Sequence, residues 1–208
     1  KGVRDPFIIR SALDNKFYII ATDLRIANGR SWDEVQTTGS KSIVVWESED
    51  LIHWSEERLV PVGIEQAGCV WAPEAFYDEK EESYLVFWAS RVQEDGDEKP
   101  KHRIYASLTK DFKEFTPAVK YIEKENHIID TTIAKEGKYY YRISKDETTK
   151  NIKVDRGEDL LNGPFEPVAY PKLERIYGLE GPEIFRLKDS DEWCLIVDRF
   201  AEGKGYMP

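Results

Sequence analysis

Residues 71–90 read WAPEAFYDEKEESYLVFWAS, and the pattern they set returns along the whole chain. A short entry holding a Pro or a polar residue leads into an apolar run, a polar stretch intervenes, and a second apolar run follows. The other copies are DPFII from Asp5 with FYIIAT from Phe17, DTTIA from Asp130 with YYYRIS from Tyr139, and GPEIF from Gly181 with WCLIVD from Trp193. β-Forming residues on either side of a polar turn read as hairpins. With Pro6, Pro73, Thr131 and Pro182 taken as equivalent, the copies lie 67, 58 and 51 residues apart, somewhat above the period of a propeller blade.

A second half-repeat fills the gaps: SIVVWESEDLIHW from Ser42, RIYASLTKDFKEF from Arg103 and NIKVDRGEDLLNGPF from Asn151. Ser48, Asp50, Leu51 and Trp54 match Thr109, Asp111, Phe112 and Phe115, and the third copy keeps Asp159, Leu160 and Phe165. Each unit therefore holds a hairpin, a third strand, a tight turn at an Asp and a fourth strand. Four antiparallel strands repeated in this way predict an all-β fold, the five-bladed β-propeller, with a stack of sandwich-like sheets as the alternative. Polar first-strand entries favour the propeller, whose inner strands line a channel.

The units fall near 1–70, 71–127, 128–177 and 178–208, a single propeller domain of about three and a half blades. The last unit is expected to stop after its second strand near Asp198, with FAEGKGYMP trailing from it. A ring cut there would expose strand edges. The expectation is a parent truncated at both ends, with roughly a blade and a half beyond this chain.

Composition narrows the partners. Forty acidic residues against thirty basic ones, a formal charge of −10, are mixed along the chain, so no nucleic acid is expected. No apolar run nears the length of a membrane span, and KGVRDPF has neither the basic start nor the apolar stretch of a signal peptide. Cys69 and Cys194 make neither a disulfide framework nor a metal cluster and read as small buried residues.

In a meander the start of the first strand, the end of the second and the start of the third share one face. That face is expected to gather Asp5, Trp71, Asp130 and Glu180, the connection 22–40 with Trp32, the connection 91–102 and the region 142–150. Each acid alone has an ordinary explanation as a turn or loop residue. Three at nearly one depth are harder to dismiss, because like charges brought close raise one another's pKa. Inverting glycoside hydrolysis uses such a set: a protonated carboxyl for the leaving oxygen and a carboxylate across the sugar, about 6.5–9.5 Å away, for the attacking water.

RDPFII at Arg4, WAPEAFYD at Trp71, IIDTTI at Ile128 and LEGPEIF at Leu179 resemble, in order, the motifs of glycoside hydrolase family 43. The resemblance implies Asp5 as general base, Glu180 as general acid, and Asp130 as the residue that raises the acid's pKa and orients it. Arg4 and Thr131 depart from the residues many relatives carry, and neither departure removes a carboxylate. Some relatives hold a channel metal or water cluster through a His of the last blade. His53, His102 and His127 do not match that position and read as structural or exposed, so metal stays unassigned: no cofactor is required, and a structural channel ion is left open.

Trp71, at the depth of Glu180, is read as a platform for the sugar, with core packing as the alternative. Arg142, read as ending the second strand of the third unit, is expected to bind sugar hydroxyls or hold a catalytic carboxylate, with an ordinary surface Arg as the alternative. The resemblance implies a plant polysaccharide or oligosaccharide containing arabinose or xylose, and a secreted or cell-surface parent. A mouth narrowed by the Trp32 connection ranks an exo-acting α-L-arabinofuranosidase first, ahead of a β-xylosidase or an endo-arabinanase. The readings of a different kind are a non-catalytic sugar-binding propeller, an inactive fragment, and a retaining relative of the fructan hydrolases with carboxylates about 5–5.5 Å apart.

Overall fold

A computed structural model describes residues 2–27 and 29–208; Lys1 and Asn28, the latter inside the connection 22–40, lie outside the described residues. The chain divides into two compact units, residues 1–123 and 124–208. In the first, β1 (Val3–Arg10), β2 (Phe17–Asp23), β3 (Ser42–Ser48) and β4 (Arg58–Pro61) form one antiparallel sheet in chain order. A short helix α1 (Trp32–Thr37) lies between β2 and β3. A second sheet follows from β5 (Trp71–Asp78), β6 (Ser83–Val92), β7 (Lys101–Thr109) and β8 (Val119–Ile122).

In the second unit, β9 (Ile128–Glu136), β10 (Tyr139–Asp146), β11 (Asn151–Gly157) and β12 (Phe165–Pro167) make the third sheet. A helical turn α2 (Pro171–Glu174) leads to the fourth, β13 (Glu180–Arg186), β14 (Trp193–Asp198) and β15 (Tyr206–Met207). Sequential antiparallel meanders of this kind are the blades of a β-propeller. Among the described residues no helix is long and apolar enough to cross a membrane.

The last sheet differs from its expected form. FAEGKGYMP does not trail away: Tyr206 and Met207 pair with Asp198 and Val197 as a third strand. The chain turns back through Gly203 and Gly205, both left-handed at φ 62° and 70°, and the Arg199 amide donates to the Gly205 carbonyl at 3.0 Å. A two-residue strand carries no hydrophobic alternation, so only the turn glycines announce it.

The half-repeat becomes one recurring turn. Asp50 Oδ1 accepts from the Ile52 and His53 amides at 2.9 and 2.7 Å. Asp111 Oδ1 accepts from Lys113 and Glu114 at 2.9 and 3.0 Å, and Asp159 Oδ1 from Leu161 and Asn162, both at 3.0 Å. A short carboxylate closing a turn on its own following amides is why Asp is kept at these positions.

Cores form within each unit. Tyr18, Ile20, Val45, Tyr84, Val86 and Trp88 pack in the first unit, where the buried Phe112 ring lies 4.5 Å from Tyr18 and 5.0 Å from Tyr84. Ile143, Ile152, Leu179 and Val197 form the core of the second. Cys69 is buried, with its thiol pushed up to about 12 by burial. Cys194 is half-buried rather than buried, because it stands on β14 in the short last sheet.

Candidate active site

All four first strands open on the same irregularity. Asp5, Ala72, Asp130 and Gly181 are left-handed, at φ 48°, 46°, 47° and 52°. At each, the register slips: Arg4 pairs with Thr22 but Phe7 with Ile20, and Trp71 with Ala89 but Glu74 with Phe87. Likewise Ile129 pairs with Lys145 but Thr131 with Ser144, and Glu180 with Asp198 but Glu183 with Ile196. This is a β-bulge, which re-aims a side chain where a strand begins. Non-glycine residues pay for positive φ, Asp less than most, and such strain concentrates at functional sites.

The bulges sort the predicted residues into equivalent places. Asp5 and Asp130 are the left-handed residues of the first and third sheets, while Glu180, like Trp71, stands one residue before the left-handed position. Opposite the residue before each bulge, on the second strand, stand Thr22, Ala89, Lys145 and Asp198. Two of these, Thr22 and Lys145, bond expected site carboxylates, and hydropathy singles out neither.

In the first unit the buried Thr22 hydroxyl accepts from the Ala72 amide at 2.7 Å and donates to Asp5 Oδ2 at 2.9 Å. A hydroxyl carries one proton, so accepting from an amide commits that proton to the carboxylate. Trp71 is half-buried between two rings: Trp32 meets it edge-on at 6.1 Å and 82°, and His102 stacks on it at 5.7 Å and 29°. Arg4 lies over the exposed Trp32 ring at 5.2 Å. Trp32 opens α1, which Ser31 caps by accepting from the Glu34 amide at 3.1 Å, and Arg91 ties the helix through Asp33 at 3.1 Å. Ser31 followed three residues later by Glu34 is the pattern of a capping box, a signal that was available to locate this helix.

In the second unit Asp130 Oδ2 accepts from the Gly181 amide at 3.2 Å, so the carboxylate is fastened to the residue next to Glu180. Glu180 Oε2 accepts from Lys145 Nζ at 2.7 Å. Lys145 is 3% exposed, bonds Glu147 Oε2 at 2.6 Å and lies over the Phe200 ring at 4.9 Å. Burial works against its charge, but the hydrogen bonds to Glu147 and Glu180 outweigh it and hold the ammonium above the usual lysine range. Burial likewise raises the Glu147 carboxyl, and hydrogen bonds from Lys145 and Lys150 overcome it to leave Glu147 below its usual value. Glu147 is fixed by the turn after β10, where Asp146 Oδ1 accepts from the Thr148 and Thr149 amides, both at 2.9 Å.

Arg142 is not where it was expected. It sits within β10 rather than at its end, paired with Ile133 and Asp155, and is 8% exposed. Its guanidinium lies 3.6 Å over the Phe165 ring and 3.7 Å from Asp155. The strand runs on to Asp146, and an odd separation puts Arg142 and Lys145 on opposite faces. Lys145, three residues on, is the cation that reaches Glu180.

The histidines do not compose a metal site. His53 is exposed and bonds Asp50 at 2.7 Å, His102 is buried on Trp71, and the His127 amide donates to Thr148 at 3.2 Å. Among the described residues no three His, Cys, Asp or Glu groups are placed to hold an ion.

A family model described as a probable glycosyl hydrolase domain, related to glycosyl hydrolase family 43, matches residues 1–208. An α-L-arabinofuranosidase of Bifidobacterium longum subsp. longum is 31% identical over a 242-residue alignment covering 96% of this chain and 23% of that protein. The chain thus spans about a quarter of that relative's length. The exo-β-1,3-galactanase of Phanerochaete chrysosporium superposes with a TM-score of 0.66 at 16% identity, over 95% of this chain and 44% of the galactanase. The catalytic domain of the Coprinopsis cinerea family 62 α-L-arabinofuranosidase superposes with 0.61 at 15%, over 94% and 59%. At these identities the superpositions speak for the fold, and they agree with the propeller.

Proposed function

From the premise that this chain belongs to the glycosyl hydrolase 43-related family, a glycosidase family whose model spans residues 1–208, we propose that it carries the catalytic carboxylates of an inverting exo-α-L-arabinofuranosidase. The observation that carries this reading is the repeated bulge, with Asp5 and Asp130 at the left-handed residue of their strands and Glu180 one residue before that of its own. In the proposed reaction Asp5 takes a proton from water as its oxygen attacks the anomeric carbon. The bond to the leaving oxygen breaks as Glu180 gives that oxygen a proton, and the sugar leaves with inverted configuration. Asp130, bound to the amide beside Glu180, orients the acid.

Trp71 is the proposed sugar platform: its edge and face contacts with Trp32 and His102 fix a ring that remains half-exposed. Arabinose is preferred as the sugar because the Bifidobacterium relative carries that name, and a plant polysaccharide substrate implies a secreted or surface protein. The acid–base chemistry calls on carboxylates alone, so no cofactor is proposed.

The test is hydrolysis of 4-nitrophenyl α-L-arabinofuranoside and 4-nitrophenyl β-D-xyloside by the full-length protein, with product anomers followed by NMR from the first minutes. Inverted arabinose is expected. Inverted xylose would move the specificity to the β-xylosidases, retained configuration would remove Asp5 as base, and sugar binding with no turnover would make this a binding propeller.

A further inference from the structure

We propose that Lys145 positions the proton of Glu180, and that Glu147 keeps Lys145 charged and in place throughout the reaction. The inference rests on the reading of Glu180 as general acid. Its starting point is geometric: one buried ammonium bonds two carboxyls, Glu180 at 2.7 Å and Glu147 at 2.6 Å, with Phe200 beneath it. The ammonium has three donors to place, and one of them is directed at the expected acid.

An ammonium donates hydrogen bonds and cannot accept them. When Glu180 is neutral, Lys145 can bond only its carbonyl oxygen, so Oε2 becomes the C=O and the proton is confined to Oε1. The general acid then presents one defined donor instead of two interchangeable oxygens. As Glu180 passes its proton to the leaving oxygen, negative charge develops on the carboxyl, and the existing bond from the Lys145 ammonium strengthens from cation–dipole to cation–anion without any group having to move.

Glu147 answers the question this raises. A buried ammonium beside a neutral carboxyl would stand uncompensated, at a steep cost. Glu147 is tied to Lys150 as well as Lys145 and keeps a negative charge next to Lys145 while Glu180 is protonated. No proton passes through Lys145 or Glu147; the only transfer is from Glu180 Oε1 to the leaving oxygen, which keeps the electron pair of the broken C–O bond.

Position in the fold supports the assignment. Lys145 stands opposite Ile129 as Thr22 stands opposite Arg4, each across from the residue that precedes a left-handed Asp. Thr22 reaches the Ala72 amide in the next sheet, and Lys145 reaches Glu180 in the next sheet. The same strand position thus serves an acid residue in both units.

The test compares wild type, Lys145→Met, Lys145→Arg and Lys145→Met/Glu147→Gln in the full-length protein. Aryl α-L-arabinofuranosides from dinitrophenyl to phenyl are the probes, or the aryl β-D-xylosides if wild type cleaves those. Lys145→Met is expected to lose roughly a hundredfold in kcat on the phenyl glycoside but under about tenfold on the dinitrophenyl glycoside, whose leaving group needs little protonation. KM should change little, and Lys145→Arg, which keeps the charge, should recover part of the loss. If the single variant fails to fold, the double variant carries the same expectation with both buried charges gone. Equal losses on all leaving groups would overturn the proposal and leave Lys145 a structural ion pair. If Glu180→Gln itself shows no leaving-group dependence, it is the acid assignment that has failed.

Discussion

Thr22 shows how little a single residue needs in order to matter. It accepts one amide and donates its one proton to Asp5, so the carboxylate is fixed by a group whose orientation is itself fixed. Thr22→Val keeps the shape and removes both bonds, leaving the part-buried Ala72 amide without its acceptor, a loss on the order of 1 kcal/mol. We expect Thr22→Val to lower kcat/KM at least tenfold on an aryl arabinofuranoside, while Thr22→Ser, which restores the hydroxyl, stays within a few-fold of wild type. Steady-state kinetics on the three proteins checks this, and equal activity of the Val and Ser variants would contradict it. Nothing about Thr22 in FYIIATD distinguishes it from any strand threonine. Its role needs the neighbouring strand entry of residues 71–72, fifty residues away, to be brought alongside.

At the scale of elements, the connection between β6 and β7 is held by Arg103, 3% exposed, which bonds Asp97 Oδ2 at 2.7 Å, Glu123 at 2.6 Å and the Val92 carbonyl at 2.9 Å. A hydrogen bond from Lys120 keeps Glu94 below its usual value. The Glu94 amide and then Arg103 do the same for Asp97. For Glu123, burial raises the carboxyl and the bonds from Lys101, Arg103 and Lys120 outweigh it. Carboxyls depressed in the folded state add stability that is fully present above their unfolded values, near pH 4, and is lost as the pH falls through the lower folded values. The denaturation midpoint of the wild type should therefore drop as the pH is taken below about 4. Arg103→Met should be less stable at neutral pH and show a flatter acid dependence, since part of the depression is gone. Urea titrations from pH 7 to pH 3 measure both; parallel pH curves for the two proteins would contradict the assignment. The same network holds the segment that leads into His102, the ring stacked on Trp71.

At the scale of the whole molecule, the proposed reaction divides two roles between residues far apart in the chain, and they should fail differently. Asp5→Asn leaves no base for water, so turnover should vanish on every substrate, by on the order of a thousandfold or more. Glu180→Gln should cost far more on a phenyl than on a dinitrophenyl glycoside, because only the poorer leaving group needs the acid. A Brønsted series on the two variants separates them. Retained activity in Asp5→Asn would remove it from the role of base.

The chain announces its architecture because repetition is written locally: DPFII, APEAF, DTTIA and GPEIF each carry the bulge and the strand that follows it, and Asp50, Asp111 and Asp159 each close their own turn. Hydropathy and turn chemistry act over a few residues, so β-strands, hairpins, the propeller class and the acids at the strand entries follow from the sequence by itself. Tertiary structure alone decided which polar side chains meet. YYYRISKDE does not say which of its cations meets Glu180; Lys145 does, because the strand continues to Asp146 and successive side chains alternate faces. The two-residue β15, Thr22 between Asp5 and Ala72, and Lys145 between Glu147 and Glu180 are likewise products of register and approach between strands. No window of sequence holds both partners of such contacts, and the contacts exist only once the sheets have formed.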